Sequence, residues 1–188
     1  MTGSSLMLGN IDGDLIAFRC SASVGLEGEE EIAILRTDKL MRDLLYNTES
    51  TSYNCYLSGR NNFRKKVNPE YKANRKDKEP PRWLQSCREY LIKEWNAVVS
   101  EGCEADDLLG INQHNTDSVC ISLDKDLLMI TGWHFRWLDN EKIFVTPDQG
   151  LKTFYKQMMI GDKSDNIFVL PILLQIVRCI NNLFYLLS

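Results

Sequence analysis

The amino-acid sequence predicts an α/β domain in which a central, mainly parallel sheet is flanked by helices. Short apolar segments with the composition of strands alternate with longer segments whose apolar residues have helical spacing, and this alternation is typical of parallel sheets. The chain has 188 residues, of which 44% are hydrophobic and 26% charged, so it suits one domain with its own core. The sequence contains no internal repeat and no low-complexity linker.

The first half of the chain predicts two strands and two helices before a basic segment. Apolar residues with helical spacing, among them Ile32, Leu35 and Leu40, indicate the longer helix. Asn68 and Pro69 interrupt regular structure within the basic segment. In chain order, the elements are a strand over Leu6–Ile11 that ends at Asp12, helices over Leu15–Val24 and Glu30–Tyr46, a strand over Ser52–Leu57, and the basic segment Arg60–Arg82.

The second half continues the alternation and ends with a hairpin and a helix. Asp139 and Asn140 are expected at the turn of the hairpin, and Pro147 fits the preference of proline for the first turn of a helix. The elements are a helix over Trp83–Glu94, a strand over Ala97–Val99, a helix over Glu104–Ile111, a strand over Ser118–Ser122, hairpin strands over Phe135–Leu138 and Lys142–Val145, and a helix over Pro147–Met159.

Charge is unevenly distributed along the chain. The formal net charge is −4, which by itself argues weakly against a nucleic-acid binder. Between Arg60 and Arg82, however, nine basic residues face three acidic ones and leave a local charge of +6, whereas between Glu101 and Asp126 seven acids face one lysine. A basic block can hold phosphates and an acidic block can hold cations, and a metal-dependent phosphodiesterase needs both.

Two acidic clusters occupy the starts of predicted helices. Asp12 follows the first strand, and the carboxyl ends of parallel strands form the reactive edge of such sheets. Asp12 is therefore a candidate metal ligand; the alternative is a helix cap, a role expected for Asp14 in either case. Glu104, Asp106 and Asp107 open another helix, with the first and last on one face. Helix N-termini favour carboxylates, but three acids in four residues exceed what a cap requires.

Two further pairs of acids follow the strand Ser118–Ser122 and the last helix. Asp124 and Asp126 would point to the same side of an extended backbone, and their surroundings do not match an EF-hand loop. Asp162 and Asp165 lie three residues apart, and for this pair alone a polar turn is the simpler interpretation. Mg²⁺ and Mn²⁺ prefer oxygen ligands, and so many carboxylates would repel one another without cations. Together the acids indicate a site for two or more such ions.

The basic block contains a tyrosine next to two cations. Lys72 and Arg75 lie three residues apart and can grip one phosphate from a helical turn, while Tyr71 can stack on a terminal base. If this segment stood alone, a solvated basic surface helix would be the simpler interpretation. The other residues of the block expected to contact nucleic acid are Arg60, Arg64, Lys65, Lys66 and Lys76.

The N-terminus and the cysteines bear on the location of the protein. The segment Met1–Asn10 lacks a basic region and leads into Asp-Gly-Asp, which argues against a signal peptide. No segment before residue 166 is apolar enough to span a membrane. None of the six cysteines forms a CxxC pair, which favours reduced, buried thiols over a zinc or disulfide role. We therefore expect a cytoplasmic protein that does not enter a membrane.

Five motifs occur in a fixed order along the chain. They are Asp-Gly-Asp after a strand, Tyr-Lys-Ala-Asn-Arg, Glu-Ala-Asp-Asp-Leu, Ser-x-Asp-x-Asp and Gly-Asp-x-Ser-Asp-Asn. In this order they resemble the bacteriophage 5′–3′ exonucleases and flap endonucleases, PIN-like relatives of the 5′-nuclease domain of DNA polymerase I, over about Leu6 to Ile167. The resemblance implies hydrolysis of DNA, or of RNA, with Mg²⁺ or Mn²⁺ during phage DNA replication or degradation. It also implies that DNA with a free 5′ end or a flap is the partner, in the cytoplasm of an infected bacterium.

The resemblance also assigns roles to individual residues. Lys72 and Arg75 match the basic pair that contacts the scissile phosphate, Tyr71 matches a position near the terminal base, and Arg60–Arg82 resembles the start of an arch for the free 5′ end. The positions that match metal-binding carboxylates of the family are Asp12, Glu104, Asp106, Asp107, Asp124, Asp126, Asp162 and Asp165.

The sequence departs from the family pattern in two places. The segment Leu57–Arg64 lacks the aspartate that many members have before Asn-Phe-Arg, so one metal ligand is expected to be missing. After Asp-Asn-Ile, a Phe-Val-Leu-Pro segment replaces the glycine-rich start of a helix–hairpin–helix that holds duplex DNA. We therefore expect a C-terminally truncated member with a catalytic core over residues 1–167 and an atypical apolar tail over residues 168–188. An amphipathic tail helix lying on the domain is favoured over a membrane helix, with self-association where its apolar face stays exposed.

Two other functions remain open at the level of sequence. Asp12-Gly13-Asp14 after a strand is similar to the nucleophile motif of haloacid-dehalogenase phosphatases, in which Asp12 would form an aspartyl phosphate. That interpretation leaves the Tyr71–Arg75 and Glu104–Asp107 segments without a role. The third possibility is an inactive fragment that only binds a partner.

Overall fold

The computed structural model describes residues 7–76, 78–115 and 117–168, and in these ranges it contains six strands and six α-helices. The strands form one sheet in the order β3-β2-β1-β4-β5-β6. All neighbouring pairs are parallel except β5 and β6, which form an antiparallel hairpin. The elements are β1 (Met7–Asp12), α1 (Gly13–Val24), α2 (Glu30–Asn47), β2 (Ser50–Leu57), α3 (Arg64–Val67), α4 (Leu84–Glu94), β3 (Val98–Val99), α5 (Ala105–Asn115), β4 (Ser118–Ile121), β5 (Gly132–Arg136), β6 (Glu141–Val145) and α6 (Pro147–Ile160).

Helices cover both faces of the sheet, which confirms the predicted α/β architecture. Successive residues of β2 alternate between the faces, as strand geometry requires: Leu57 packs with α1, α2 and α4, whereas Tyr56 packs with α5. The larger core contains Ile11, Ile16, Met41, Leu44, Leu57, Leu91, Val119 and Ile121, each fully buried. The smaller core, on the other face, contains Tyr56, Ala105, Leu109, Cys120 and Leu127.

The register of the sheet brings three strand ends together. Asp12 at the end of β1 pairs with Tyr56 of β2, and Ile11 pairs with Ile121 at the end of β4. Because these strands are parallel, the residues that follow them emerge at one edge of the sheet. Asp12 after β1 and Asp124 after β4 therefore lie at the same edge of the sheet, as the sequence predicted.

Two local expectations are wrong. Asp12 rather than Asp14 caps α1, because its side chain accepts a hydrogen bond from the Leu15 amide. The segment after Asp124 is not extended but forms a 3₁₀ helix over Lys125–Met129, so Asp124 and Asp126 are not related by strand alternation. The short helix α3 in the basic segment was not expected, whereas the 3₁₀ turn over Ala73–Arg75 agrees with the helical turn expected to carry Lys72 and Arg75.

The tail expected over residues 168–188 lies outside the described residues except for Phe168, which is exposed. Within the described ranges, none of the helices combines the length and the apolar character that crossing a bilayer requires. Of the cysteines described, Cys20, Cys55, Cys87 and Cys120 are buried and Cys103 is half-buried, all five as free thiols.

Candidate functional site

Asp12 lies at the centre of the acidic edge and is almost fully buried, with 4% of its surface exposed. One carboxylate oxygen accepts a hydrogen bond from the Leu15 amide at 3.0 Å, and the other accepts one from the Ser122 hydroxyl at 2.7 Å. Burial nevertheless raises the pKa of Asp12 to about 6. A carboxylate held in place by two donors and yet short of favourable charge is suited to a cation.

Asp14 ties the end of β2 to α4 instead of capping α1. Its carboxylate accepts a hydrogen bond from the Ser58 amide at 2.8 Å and forms an ion pair with Arg88. Arg88 also donates to the Ser58 carbonyl at 2.7 Å. The Ser58 hydroxyl in turn accepts a hydrogen bond at 2.9 Å from the amide of Ala105, the first residue of α5. Asp14 and Arg88 therefore fix the start of the helix that carries the second acidic cluster.

Asp106 faces the acids of the strand ends. Burial raises the pKa of Asp106 to about 8, and the nearby charges of Asp12 and Asp124 add to the effect. These three carboxylates come from β1, the start of α5 and the segment after β4. The structure thus brings together members of three separate sequence motifs, close enough for their charges to oppose one another.

Asp107, in contrast, already has a cationic partner within the protein. The Arg64 guanidinium binds both of its oxygens, at 2.6 and 2.7 Å, and the Glu104 amide donates to one of them at 2.9 Å. The hydrogen bonds from Arg64 hold the pKa of Asp107 below its usual range. A bidentate arginine pair of this kind is strong and directional. A metal ion at Asp107 would have to compete with Arg64 for both carboxylate oxygens.

Asp124 and Asp126 connect the sheet edge with the loop after α6. One carboxylate oxygen of Asp124 accepts a hydrogen bond from the Asp126 amide at 2.9 Å, which caps the 3₁₀ helix. The pKa of Asp126 is raised by burial, then by the charges of Asp124 and Asp162. Asp162 is itself held by the Ser164 amide and hydroxyl, at 2.8 and 2.6 Å. The third and fourth acidic motifs therefore meet in space.

Tyr71, Lys72 and Arg75 all contact carboxylates. The Tyr71 hydroxyl is 2.9 Å from Glu104 and 2.8 Å from Asp165. The Lys72 ammonium donates to both oxygens of Glu104, at 2.8 and 2.9 Å, and the Arg75 guanidinium donates to Asp165 at 2.8 Å. Only 6% of Tyr71 is exposed, so in this conformation its ring offers no face on which a base can stack, contrary to the expectation from sequence.

All eight candidate metal ligands line one cleft of about 1570 Å³, together with Arg64, Tyr71, Lys72 and Arg75. The other four residues expected to bind nucleic acid, Arg60, Lys65, Lys66 and Lys76, do not line the cleft and are exposed. Three arginines that the sequence interpretation did not include, Arg19, Arg88 and Arg136, also line it. Arg19 lies one helical turn beyond Leu15 on α1, so helical spacing could have found it; nothing local marks Arg88 or Arg136.

The donor set of the cleft fits hard divalent cations, because it consists of carboxylate oxygens. The pKa values of Asp12, Asp106 and Asp126 are raised first by burial and then by neighbouring carboxylates, and a cation beside these acids would offset both effects. As they stand, however, no three His, Cys, Asp or Glu side chains of the described residues are arranged to hold one ion. The carboxylate oxygens of the cleft therefore suit a metal ion chemically. In the structure these carboxylates take part in hydrogen bonds and ion pairs within the protein.

Comparison with known proteins identifies a matching family and solved structures of similar fold. A family model described as the N-terminal resolvase-like domain of 5′-3′ exonucleases matches residues 7–158. The D15 protein of bacteriophage T5, co-crystallised with metal ions, superposes with a TM-score of 0.67 at 18% identity over 87% of this chain and 69% of that chain. A lysine-to-alanine mutant of the T5 5′-exonuclease gives a TM-score of 0.63 at 16% identity over 89% and 67% of the two chains.

A third similar structure is the T5 flap endonuclease in an aspartate-to-lysine form, described as a pseudo-enzyme-product complex with DNA and metal ions. It superposes with a TM-score of 0.65 at 19% identity, over 87% of this chain and 70% of that chain. At such identities the structural similarity shows a common fold. The family model matches most of the chain and therefore shows the family to which it belongs. The chain belongs to the 5′-3′ exonuclease family and carries the N-terminal resolvase-like domain of that family, in a PIN-like fold.

Proposed function

We propose that the chain is a divalent-metal-dependent nuclease that cleaves DNA phosphodiesters at free 5′ ends or flaps. The observation that carries the proposal is the single cleft in which eight carboxylates lie beside Lys72 and Arg75. One side of such a cleft can hold cations and the other a phosphate. The T5 relatives were crystallised with metal ions and, in one case, with DNA, and the chain shares their fold.

Two groups of acids are proposed to hold the ions. The first contains Asp12, Glu104, Asp106 and Asp124, at the ends of β1 and β4 and the start of α5; the second contains Asp126, Asp162 and Asp165. Two Mg²⁺ or Mn²⁺ ions, when bound, supply an activated water and stabilise the leaving oxygen of an in-line displacement. Asp107 is paired with Arg64 and accepts a hydrogen bond from the Glu104 amide, so we assign it to orienting the start of α5 rather than to holding an ion.

The chain's own cations act on the phosphate. The Lys72 ammonium is paired with Glu104 and the Arg75 guanidinium with Asp165, and from these positions they can neutralise charge that develops on the transferring phosphate. Arg60, Lys65, Lys66 and Lys76 are exposed outside the cleft and provide phosphate contacts along the strand that enters it. We assign Tyr71 to holding Glu104 and Asp165 through its hydroxyl rather than to stacking on a base, because the hydroxyl contacts both carboxylates.

The phosphatase alternative is disfavoured by the environment of Asp12. A phosphatase that uses Asp12 as its nucleophile has no role for Lys72, Arg75 and Glu104, although these residues line the same cleft as Asp12. The proposed setting is DNA replication or degradation in the cytoplasm of an infected bacterium, which the similarity to bacteriophage T5 proteins supports. Hydrolysis of RNA by the same cleft remains part of the proposal.

The test is digestion of 5′-labelled DNA with Mg²⁺, with Mn²⁺ and with a chelator, comparing single strands, blunt duplexes and 5′ flaps. We expect metal-dependent release of short 5′ products, and loss of cleavage in Asp124→Asn. The substituted side chain would retain the oxygen that caps the 3₁₀ helix, so the fold should survive. Asp43→Asn, which removes an exposed carboxylate from α2, is the matched control. Cleavage by Asp124→Asn at the wild-type rate, or a phospho-enzyme at Asp12, would refute the proposal. If the wild-type protein cleaves none of these substrates, the remaining interpretation is an inactive fragment that only binds a partner.

A further inference from the structure

One hydroxyl joins two acidic motifs that lie far apart in the sequence. The Tyr71 side chain, 6% exposed, reaches Glu104 at 2.9 Å and Asp165 at 2.8 Å with its only hydroxyl group. Glu104 precedes α5, and Asp165 belongs to the loop after α6. The two carboxylates are therefore held at a common point by a neutral group of the protein.

Lys72 takes the position next to this point. Its ammonium binds both oxygens of Glu104 and lies 3.8 Å from Asp165. Its backbone amide donates to the Asp165 carbonyl at 2.9 Å, and Arg75 binds the Asp165 oxygen that Tyr71 leaves free. All four carboxylate oxygens of Glu104 and Asp165 are thus engaged by the segment 71–75.

The backbone of this segment is strained where it meets the acids. Lys72 has a φ of 55°, in the left-handed region, without being a glycine. Such a conformation is unfavourable for a residue with a Cβ and persists only where surrounding contacts hold it. The contacts of Lys72 with Glu104 and Asp165 are the ones available to do so.

We propose that Tyr71 and Lys72 form a latch that engages the carboxylates of Glu104 and Asp165, and that a divalent ion must displace this latch to bind them. The inference rests on the proposed function, since it assumes that Glu104 and Asp165 are metal ligands. Displacement of the latch also frees the Lys72 ammonium for a phosphate, so that ion binding and phosphate binding are coupled.

The two states differ in what the carboxylates bind. In the closed state the oxygens of Glu104 accept charge-assisted hydrogen bonds from Lys72; in the open state they are free for the ion. While the latch is closed, its carboxylates are not available to an ion, so the apparent affinity for the ion is lower than the affinity of the open state. A substitution that removes the hydrogen bonds of the latch raises the population of the open state and with it the apparent affinity. Loss of the latch should therefore tighten metal binding, the opposite of what loss of a supporting residue does.

The experiment is calorimetric titration of Mn²⁺ into wild type, Lys72→Met, Tyr71→Phe and the control Lys76→Met. Lys76 is exposed outside the cleft, and its replacement removes the same charge four residues away. Because a charge-assisted hydrogen bond is worth about 1.4 kcal/mol or more, we expect about tenfold tighter binding in Lys72→Met. We expect a gain of about threefold in Tyr71→Phe, since the Tyr71 donor carries no charge whereas the Lys72 donor does, and less than about twofold in Lys76→Met, since an exposed charge is screened.

The outcomes separate the latch from the nuclease assignment. Unchanged or weaker Mn²⁺ binding in both latch variants, or an equal gain in Lys76→Met, overturns the latch even if wild type cleaves DNA with Mn²⁺. Tighter binding in Lys72→Met and Tyr71→Phe supports the latch even if wild type cleaves no DNA. Absence of Mn²⁺ binding by every variant overturns both proposals. Thermal unfolding of each protein without metal checks that the compared chains are folded.

Discussion

Asp14 and Arg88 lie 74 residues apart in the sequence and form an ion pair that lines the same cleft as the acidic groups. Arg88 also donates to the Ser58 carbonyl, while Asp14 accepts from the Ser58 amide. The side chain of Ser58 then holds the amide of Ala105 at the start of α5. A contact outside the proposed ligand set thus positions the helix that carries Glu104, Asp106 and Asp107.

Arg88→Met should destabilise the protein by about 1–3 kcal/mol, because it leaves the partly buried Asp14 carboxylate without its cation. Urea unfolding measures the change. Lys39→Met, which breaks an exposed ion pair with Asp43 within α2, is the control and should cost about 0.5 kcal/mol or less. We also expect weaker metal binding in Arg88→Met, since the start of α5 is no longer fixed. Equal losses of stability in the two variants would show that Arg88 acts as an ordinary surface charge.

Asp12 and Asp106 should each lower the stability of the metal-free protein as the pH rises from about 4 to about 8, against an opposing contribution from His134, whose pKa is lowered by burial. Burial raises the pKa of Asp12 from 3.8 to about 6 and that of Asp106 to about 8. In this window the folded protein retains protons that the unfolded chain has released, so deprotonation favours unfolding. Each pKa unit corresponds to about 1.4 kcal/mol, and the loss is therefore on the order of a few kcal/mol. Urea unfolding at several pH values in chelator measures it.

Asp106→Asn serves as the comparison for the pH experiment. It removes the group with the larger shift, so it should flatten the dependence above pH 6 and raise the metal-free stability at pH 8. Added Mn²⁺ should flatten the wild-type curve as well, because a bound cation compensates the same charges. A wild-type stability that rises steadily between pH 4 and pH 8 would contradict the pKa assignments.

Gly13→Ala should destabilise the protein by about 1–3 kcal/mol, through overpacking. A methyl group at Gly13 would lie 2.7 Å from the Tyr56 carbonyl oxygen and 2.8 Å from the Cys55 sulfur. The glycine of Asp-Gly-Asp is thus required by the close approach of α1 to β2. Gly110→Ala in α5 is the control: the nearest atom to its new methyl is the mobile end of Ile130, at 2.9 Å, and alanine favours the helix. Similar thermal unfolding of both variants would contradict the packing argument.

Replacing both Lys65 and Lys66 with Gln should weaken DNA binding and make it less sensitive to salt. Both residues are exposed on α3, outside the cleft. Each lost phosphate contact lowers the slope of log K against log salt by about 0.7 for single strands and about 0.9 for duplexes. Fluorescence anisotropy at several salt concentrations measures the slope. The same change at Lys39 and Lys93, exposed on α2 and α4, should leave the slope unaltered. An equal decrease of the slope in this control would show that DNA binding depends only on the net charge of the protein.

Local patterns in the sequence were sufficient for the architecture. Apolar spacing and turn residues predicted every α-helix longer than one turn and all six strands, with boundaries within a few residues of those observed. The parallel arrangement then follows from the alternation of strands and helices, and it explains why Asp12 and Asp124 meet at one edge. A strand end is a local feature, so its position in a parallel sheet can be inferred without knowing any long-range contact.

The partners of the acidic and basic side chains were decided by tertiary structure. The sequence assigned Asp14 to a helix cap and Tyr71 to base stacking, whereas the fold pairs Asp14 with Arg88 and buries Tyr71 between Glu104 and Asp165. These contacts join segments more than thirty residues apart, as the separation of 33 between Tyr71 and Glu104 illustrates. No periodicity encodes such a distance. The sequence by itself identified the acids that line the cleft, and the packing of α4, α5 and the loop after α6 determined which cations join them and which charge meets which.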